Sequence, residues 1–207
     1  MQKIVTLAAS FVLLFGLLVC FVGCGQGTKA KPEGGTFWEA VQNEDWALVR
    51  RWVEYDRTLV NSRGNFTDYQ AYNHARSVLA GDPRQSQLSP PITPGMTPLF
   101  LATIRGNLEM VKFLCENGAD LNATVDYTMA MTPLHTAVSS AKSNSPEHVG
   151  IVEYLIKAGA NVNARTGGNG STPLDYCKPV LWEGDATVLK VERMLIDAGG
   201  RRFHEKR

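Results

Sequence analysis

The chain has 207 residues, 21 of them basic and 20 acidic, for a formal net charge of +1. That length suits one modest domain plus a targeting segment, and the balanced charge excludes the basic domain that a nucleic-acid binder presents. The four cysteines are Cys20, Cys24, Cys115 and Cys177.

Met1-Gln2-Lys3 is a short cationic start, and Ile4 to Val22 is almost wholly apolar. A signal peptide joins a charged start to an apolar stretch and small residues at the cleavage point. This run is also close to the length that spans a bilayer. Its end, Phe21-Val22-Gly23-Cys24, resembles a bacterial lipoprotein signal, in which a small residue precedes the cysteine that receives lipid. The resemblance implies that residues 1–23 are removed, that Cys24 is the lipid attachment site (palmitate among its acyl chains), and that the body is anchored in the periplasm. Gly25 after the cysteine, in place of aspartate, implies the outer membrane of a Gram-negative cell. An uncleaved helical anchor and ordinary secretion stay open; all three put the body outside the cytoplasm. Loss of Lys3 with the leader leaves 20 basic against 20 acidic residues. Residues 24–36 lack apolar periodicity and read as a flexible tether.

From residue 37 onward a phrase recurs. Thr97-Pro98-Leu99, Thr132-Pro133-Leu134 and Thr172-Pro173-Leu174 open segments that close on Gly118-Ala119, Gly159-Ala160 and Gly199-Gly200. Self-similarity at this period marks an array whose core is buried between neighbouring copies. Thr97 suits a helix N-cap and Pro98 the first helical position, where a missing N–H costs nothing. Gly106-Asn107 breaks that helix. A second helix then carries apolar residues at i, i+1, i+4 and i+5: Met110, Val111, Leu114 and Cys115. Ile151, Val152, Leu155 and Ile156 repeat the pattern, as do Leu48, Val49, Trp52 and Val53; the last copy keeps Val191, Leu195 and Ile196 but has Glu192 at the second place. Gly118, Gly159 and Gly199 stand where a left-handed residue ends a helix. Asn122 and Asn163 fit the turn that follows.

The stretch GMTPLFLATIRGNLEMVKFLCENGADLNA resembles an ankyrin repeat almost throughout, and FWEAVQNEDWALVRRWVEYD resembles a degenerate first copy. A plain bundle lacks this punctuation, and tetratricopeptide repeats have another signature. The expected fold is an all-α solenoid of helix-turn-helix units with projecting fingers, about four copies over residues 37–207. The later two units carry six extra residues between their helices, around Ser139–Pro146 and Lys178–Asp185, which are expected to lengthen loops. A larger insertion occupies residues 62–94. Its front part holds Phe66, Tyr69 and Tyr72, with two readings open: partner binding, or cover for the first repeat's exposed core.

No constellation supports catalysis. In ankyrin repeats the histidine after Thr-Pro-Leu holds the helix start, which is the role implied for His135. His74, His148 and His204 are too scattered for metal-ligand spacing, so no metal or cofactor is expected. Gly167-Gly168-Asn169-Gly170 lacks the Lys-Ser/Thr of a phosphate loop and reads as a tight turn. Cys115 and Cys177 fall two units apart and are expected to stay unpaired. Arg201-Arg202 and Lys206-Arg207 read as a solvated tail.

These readings point to a non-enzyme, an envelope-tethered monomer that binds another protein. Fingers and inner helices form the concave binding face in ankyrin proteins, which nominates Tyr127, Met129 and Met131 beside Phe66, Tyr69 and Tyr72, with Trp182 in a later loop. Large adaptable side chains of this kind are enriched in interface cores. Two narrower alternatives are an immunity protein that neutralises a toxic lipase effector in the periplasm, and a support protein for an envelope or stress-defence enzyme.

Overall fold

Antiparallel helix pairs follow one another along the chain, as a computed structural model covering residues 29–64, 95–125, 129–141, 145–177 and 186–203 describes it. The chain divides into two units, Met1–Lys31 and Pro32–Arg207, and the repeats lie in the second. The first pair is α1 (Phe37–Gln42) and α2 (Trp46–Tyr55), followed by a 3-10 turn at Arg57–Asn61. The second is α3 (Pro98–Ile104) and α4 (Leu108–Glu116), and the third α5 (Pro133–Ala141) and α6 (Pro146–Lys157). In the last, a 3-10 turn (Pro173–Cys177) precedes α7 (Ala186–Asp197). Among the described residues there is no strand, only an isolated antiparallel bridge between Val125 and Met131.

Local chemistry sets each start. Thr97 Oγ accepts the Phe100 N–H at 3.2 Å, with Pro98 at the first helical position. The degenerate first copy reaches the same end by a capping box. Thr36 Oγ accepts from Glu39 N–H at 3.2 Å while the Glu39 carboxylate accepts from Thr36 N–H at 2.6 Å. Hydrogen bonds from the Thr36 backbone and then from its side chain hold the Glu39 carboxyl below its usual range. Asp45 and Asn107 cap α2 and α4 in equivalent fashion. The residue before each cap is left-handed: Gly106 at φ 69° and Glu44 at φ 58°, and Glu44 pairs with Arg105 between the first two copies at 2.9 Å.

Two expectations are corrected. The extra residues of the third copy go largely into helix: α5 has 9 residues against 7 in α3, and α6 has 12 against 9 in α4. Ser139 and Ser140 therefore belong to α5, and Pro146 opens α6. The inner helix of the last copy is only a 3-10 turn. Pro179 follows closely, and a proline there has no N–H to continue a helix and clashes with the carbonyl four residues back.

The core runs between the copies. Val49, Leu99, Val111, Leu114, Leu134, Ile151, Val152, Leu155 and Leu195 are all essentially inaccessible. Cys177 is buried and Cys115 half-buried, both as free thiols; burial, and then Glu116, push the Cys115 thiol up to about 11.

Polar joints fix the register of the stack. Asn61 donates to Gly118 C=O at 2.9 Å and accepts from Asp120 N–H at 2.8 Å. Asn122 accepts from Asn161 N–H at 2.8 Å. Asn163 donates to Gly199 C=O at 3.0 Å and accepts from Arg201 N–H at 2.8 Å. His135 supplies a parallel joint on the inner side. Its Nδ1 accepts from the Thr132 N–H at 3.3 Å, so the hydrogen sits on Nε2, which donates to Ser171 C=O of the next copy at 3.1 Å. Burial holds its pKa below the ordinary histidine value, against smaller opposing contributions from Ser171, Ala164 and Asp175.

Replacing Asn163 by Ala removes two hydrogen bonds at an exposed joint and is expected to cost about 0.5–1.5 kcal/mol; hydrogen exchange concentrated in α7 rather than spread through the array would check that the loss is local. Because folded His135 resists a proton that the unfolded chain accepts near pH 6.5, its contribution is present above that pH and is lost on acidification. The melting temperature should fall between pH 7.5 and 5, and the fall should be shallower in His135→Asn.

Candidate functional site

The finger loops come together on one side of the stack. The Val125–Met131 bridge closes a loop whose described end, Met129-Ala130, is left-handed at both residues, φ 58° and 56°. Neither residue is glycine, and a side chain in that conformation costs roughly 1–2 kcal/mol. Neighbouring contacts hold it there. Met129 C=O accepts from the Gly167 N–H at 2.6 Å, and a side chain at Gly168 would lie 3.4 Å from Met129 Sδ. The result is a methionine side chain 53% exposed on a finger whose backbone is tied to the next one.

That next finger is the tight turn expected from its glycines. Thr166 N–H donates to Ser171 C=O at 3.0 Å, and Asn169 Oδ1 accepts from Thr166 Oγ at 2.8 Å and Ser171 N–H at 3.2 Å. The C-terminal segment packs against it. The Arg165 guanidinium lies 3.9 Å from the centroid of the Phe203 ring, an attraction worth about 0.5–1 kcal/mol at an exposed site. Gly170 sits beneath that ring, where a Cβ would approach Phe203 Cε1 to 3.2 Å.

The tail itself corrects an expectation. Arg202 is half-buried and bonded within the fold: its guanidinium donates to Leu174 C=O at 2.8 Å and to Glu192 at 2.5 Å. Phe203 N–H donates to the buried carboxylate of Asp175 at 2.9 Å, which also accepts from Thr172 N–H and Oγ at 2.9 and 3.1 Å. Asp175 occupies the position that His135 holds one copy earlier, and it gathers the returning tail instead of reaching a further copy.

Of the residues nominated from sequence, Met129 is exposed and Met131 is half-buried against the core, so the two present different amounts of surface. Cys24, Phe66, Tyr69, Tyr72, Tyr127 and Trp182 lie outside the described residues. The sequence reading missed Arg165 and Phe203. A lone aromatic in a basic tail gives no periodic signal; the cue available was its place just beyond the last helix-ending glycine.

His135 has both ring nitrogens committed to structural bonds, and no cluster of three or more His, Cys, Asp or Glu suits a metal among the described residues. On the other side of the stack, open seams of about 540 and 500 Å³ run between α6 and α7, floored by Val149, Ile156 and Met194. Among the described residues, no helix is long and apolar enough to cross a membrane.

Comparison with known proteins agrees with this geometry. A family model described as ankyrin repeats, in three copies, matches residues 37–166. The BRCA1-associated RING domain protein 1 of Caenorhabditis elegans is 41% identical over 71 residues, 34% of this chain and 9% of that protein. Human protein phosphatase 1 regulatory subunit 27 is 36% identical over 85 residues, 41% of this chain and 49% of that protein. The chain thus spans less than half the length of these curated relatives. A crystal structure of an ankyrin repeat domain from Acinetobacter baumannii AYE superposes with a TM-score of 0.50 at 22% identity, covering 90% of this chain and 93% of that one.

Met129→Gly removes the exposed side chain and the strain at one of the two left-handed residues. The expected result is an unchanged or higher melting temperature, by up to about 1–2 kcal/mol in stability. A clear drop would mean that contact with Gly168 stabilises the finger more than the backbone strains it.

Proposed function

The chain belongs to the ankyrin-repeat family, and from that premise we propose that it is a protein-binding module tethered to the bacterial envelope through a lipidated Cys24. The observation that carries the binding reading is Met129. A 53% exposed methionine is held on a strained two-residue turn by a hydrogen bond from the adjacent finger. Strain kept at a surface turn, where glycine would relieve it, indicates that the side chain serves something outside the fold. Tyr127 stands two residues earlier in sequence. Aromatic and methionine anchors dominate interface energy.

The tether rests on the sequence alone: Gly23-Cys24 after an apolar run, followed by Gly25 and a segment without apolar periodicity. Several acyl chains on one residue bind a membrane stably, whereas a single chain is marginal. In this reading the repeats stand in the periplasm at the outer membrane, with a protein as partner and no cofactor.

One experiment addresses both halves. Fractionation of cells carrying Cys24→Ala should move the chain out of the membrane fraction; retention there, unprocessed, would favour an uncleaved helix. Affinity capture from wild-type membranes, repeated with Tyr127→Ala and Met129→Gly, should lose the partner at unchanged melting temperature. Undiminished capture by both variants would shift the binding face away from this finger.

A further inference from the structure

The first two interfaces between copies carry a polar joint at the turn end of the helices as well as at the finger end. Between the first and second copies that joint is the Glu44–Arg105 pair. Between the second and third it is His148, half-buried in the first turn of α6. The ring sits on the turn between α3 and α4, where a Cβ at Gly106 would meet its Cε1 at 3.0 Å and its Nδ1 at 3.4 Å. Nε2 lies 3.3 Å from the Ile104 C=O at the end of α3, and Nδ1 lies 2.9 Å from the Ser145 hydroxyl oxygen. That hydroxyl in turn donates to the Glu147 carboxylate at 2.8 Å. Ser145 holds the N-cap position of α6, yet its side chain makes no cap bond. Thr36, Asp45, Thr97 and Asn107 all cap their helices with the side chain. The Ser145 hydroxyl is committed to the histidine and the glutamate instead.

This chain of bonds uses two ring hydrogens, and a neutral imidazole brings only one. A backbone carbonyl only accepts, so Nε2 carries a hydrogen. A carboxylate also only accepts, so the one hydrogen of the serine hydroxyl points to Glu147, and Nδ1 donates to the serine oxygen. We propose that His148 is a proton-operated clasp between the second and third copies, complete when the ring is cationic and one bond short when it is neutral. In the neutral state the hydroxyl serves Nδ1 or Glu147 but not both. Two neighbours favour the cation. The Ile104 C=O stands at the negative end of α3. Glu147 stays ionised, since its own backbone N–H and then the Ser145 hydroxyl keep its carboxyl below the usual range. The place of the ring in the first turn of α6 opposes them, because a cation is disfavoured at a helix N-terminus. Among the described residues, the other charged groups on the elements packed there are paired: Arg105 with Glu44, and Lys112 with Glu109 on α4. A proton held by the folded joint gives stability that is present on the acid side of the ordinary histidine value, about 6.5, and is lost as pH rises past it. The sign is opposite to that of His135, so acid tightens one joint of the array while it weakens another.

The first turn of α6 reports on the clasp, because Val149 N–H donates to the Ser145 C=O at 3.3 Å. The test is hydrogen exchange on the full-length chain at about pH 7.5 and about pH 5.5, either side of the ordinary histidine value. Protection of the Val149 amide, corrected for intrinsic exchange, should rise several-fold on acidification relative to that of Ala160, which bonds to Leu155 C=O at the far end of the same helix. His148→Gln still offers a donor to Ile104 but takes up no proton, and it should abolish the rise. Ser145→Ala, which breaks the chain in the middle, should do the same. Glu147→Gln keeps an acceptor for Ser145 without the charge and should leave a smaller rise. Protection at Val149 that is level or falls on acidification in the wild type would overturn the proposal. So would a rise of wild-type size in His148→Gln or in Ser145→Ala.

Discussion

The whole stack depends on an asparagine at the start of each finger reaching the backbone of the next copy. Asn61, Asn122 and Asn163 each place one amide against the turn that closes the following helix pair. Each helix here is short, between 6 and 12 residues, a length at which isolated helices are marginal. Hydrophobic burial supplies the drive, but it is non-directional. The amides fix how far one copy slides along its neighbour and so which apolar residues meet. His135 does the same on the inner side, and Glu44 with Arg105 adds a joint where the first copy lacks the Thr-Pro-Leu opening.

What was legible in the sequence followed the strength of local signals. Thr97 with Pro98, and the apolar quartets of α4 and α6, state their structure within a dozen residues, and the array formed where they placed it. The capping box of Thr36 and Glu39 is equally local, and it explains how a degenerate copy still starts a helix. Joints between copies were less legible. Asn122 and Asn163 read as turn residues, and Asn61 gave no signal, because their work is done on backbone groups nearly forty or more positions away. The six-residue expansion of the third copy read as loop because serines and lysine suggest one; α5 and α6 instead take up most of it, and Ala141 and Val149 are buried.

The candidate site was legible only in part. Methionine at 129 was visible as an oddity in a turn, but not the left-handed backbone beneath it, which depends on a carbonyl bonded to the next finger. Arg165, Phe203 and Gly170 meet only after the last copy has folded and the tail has come back across it. Their contact is tertiary in origin, between residues of no recurring pattern.

Asp175 in the place of His135 has a consequence for the array as a whole. A histidine there gives a proton donor to a carbonyl in a copy still to come, so the position stays open-ended. An aspartate instead takes the N–H of Thr172 within its own copy and that of Phe203 beyond α7. The polarity of this one position, donor at His135 and acceptor at Asp175, decides whether it reaches into the next copy or gathers the chain that follows α7.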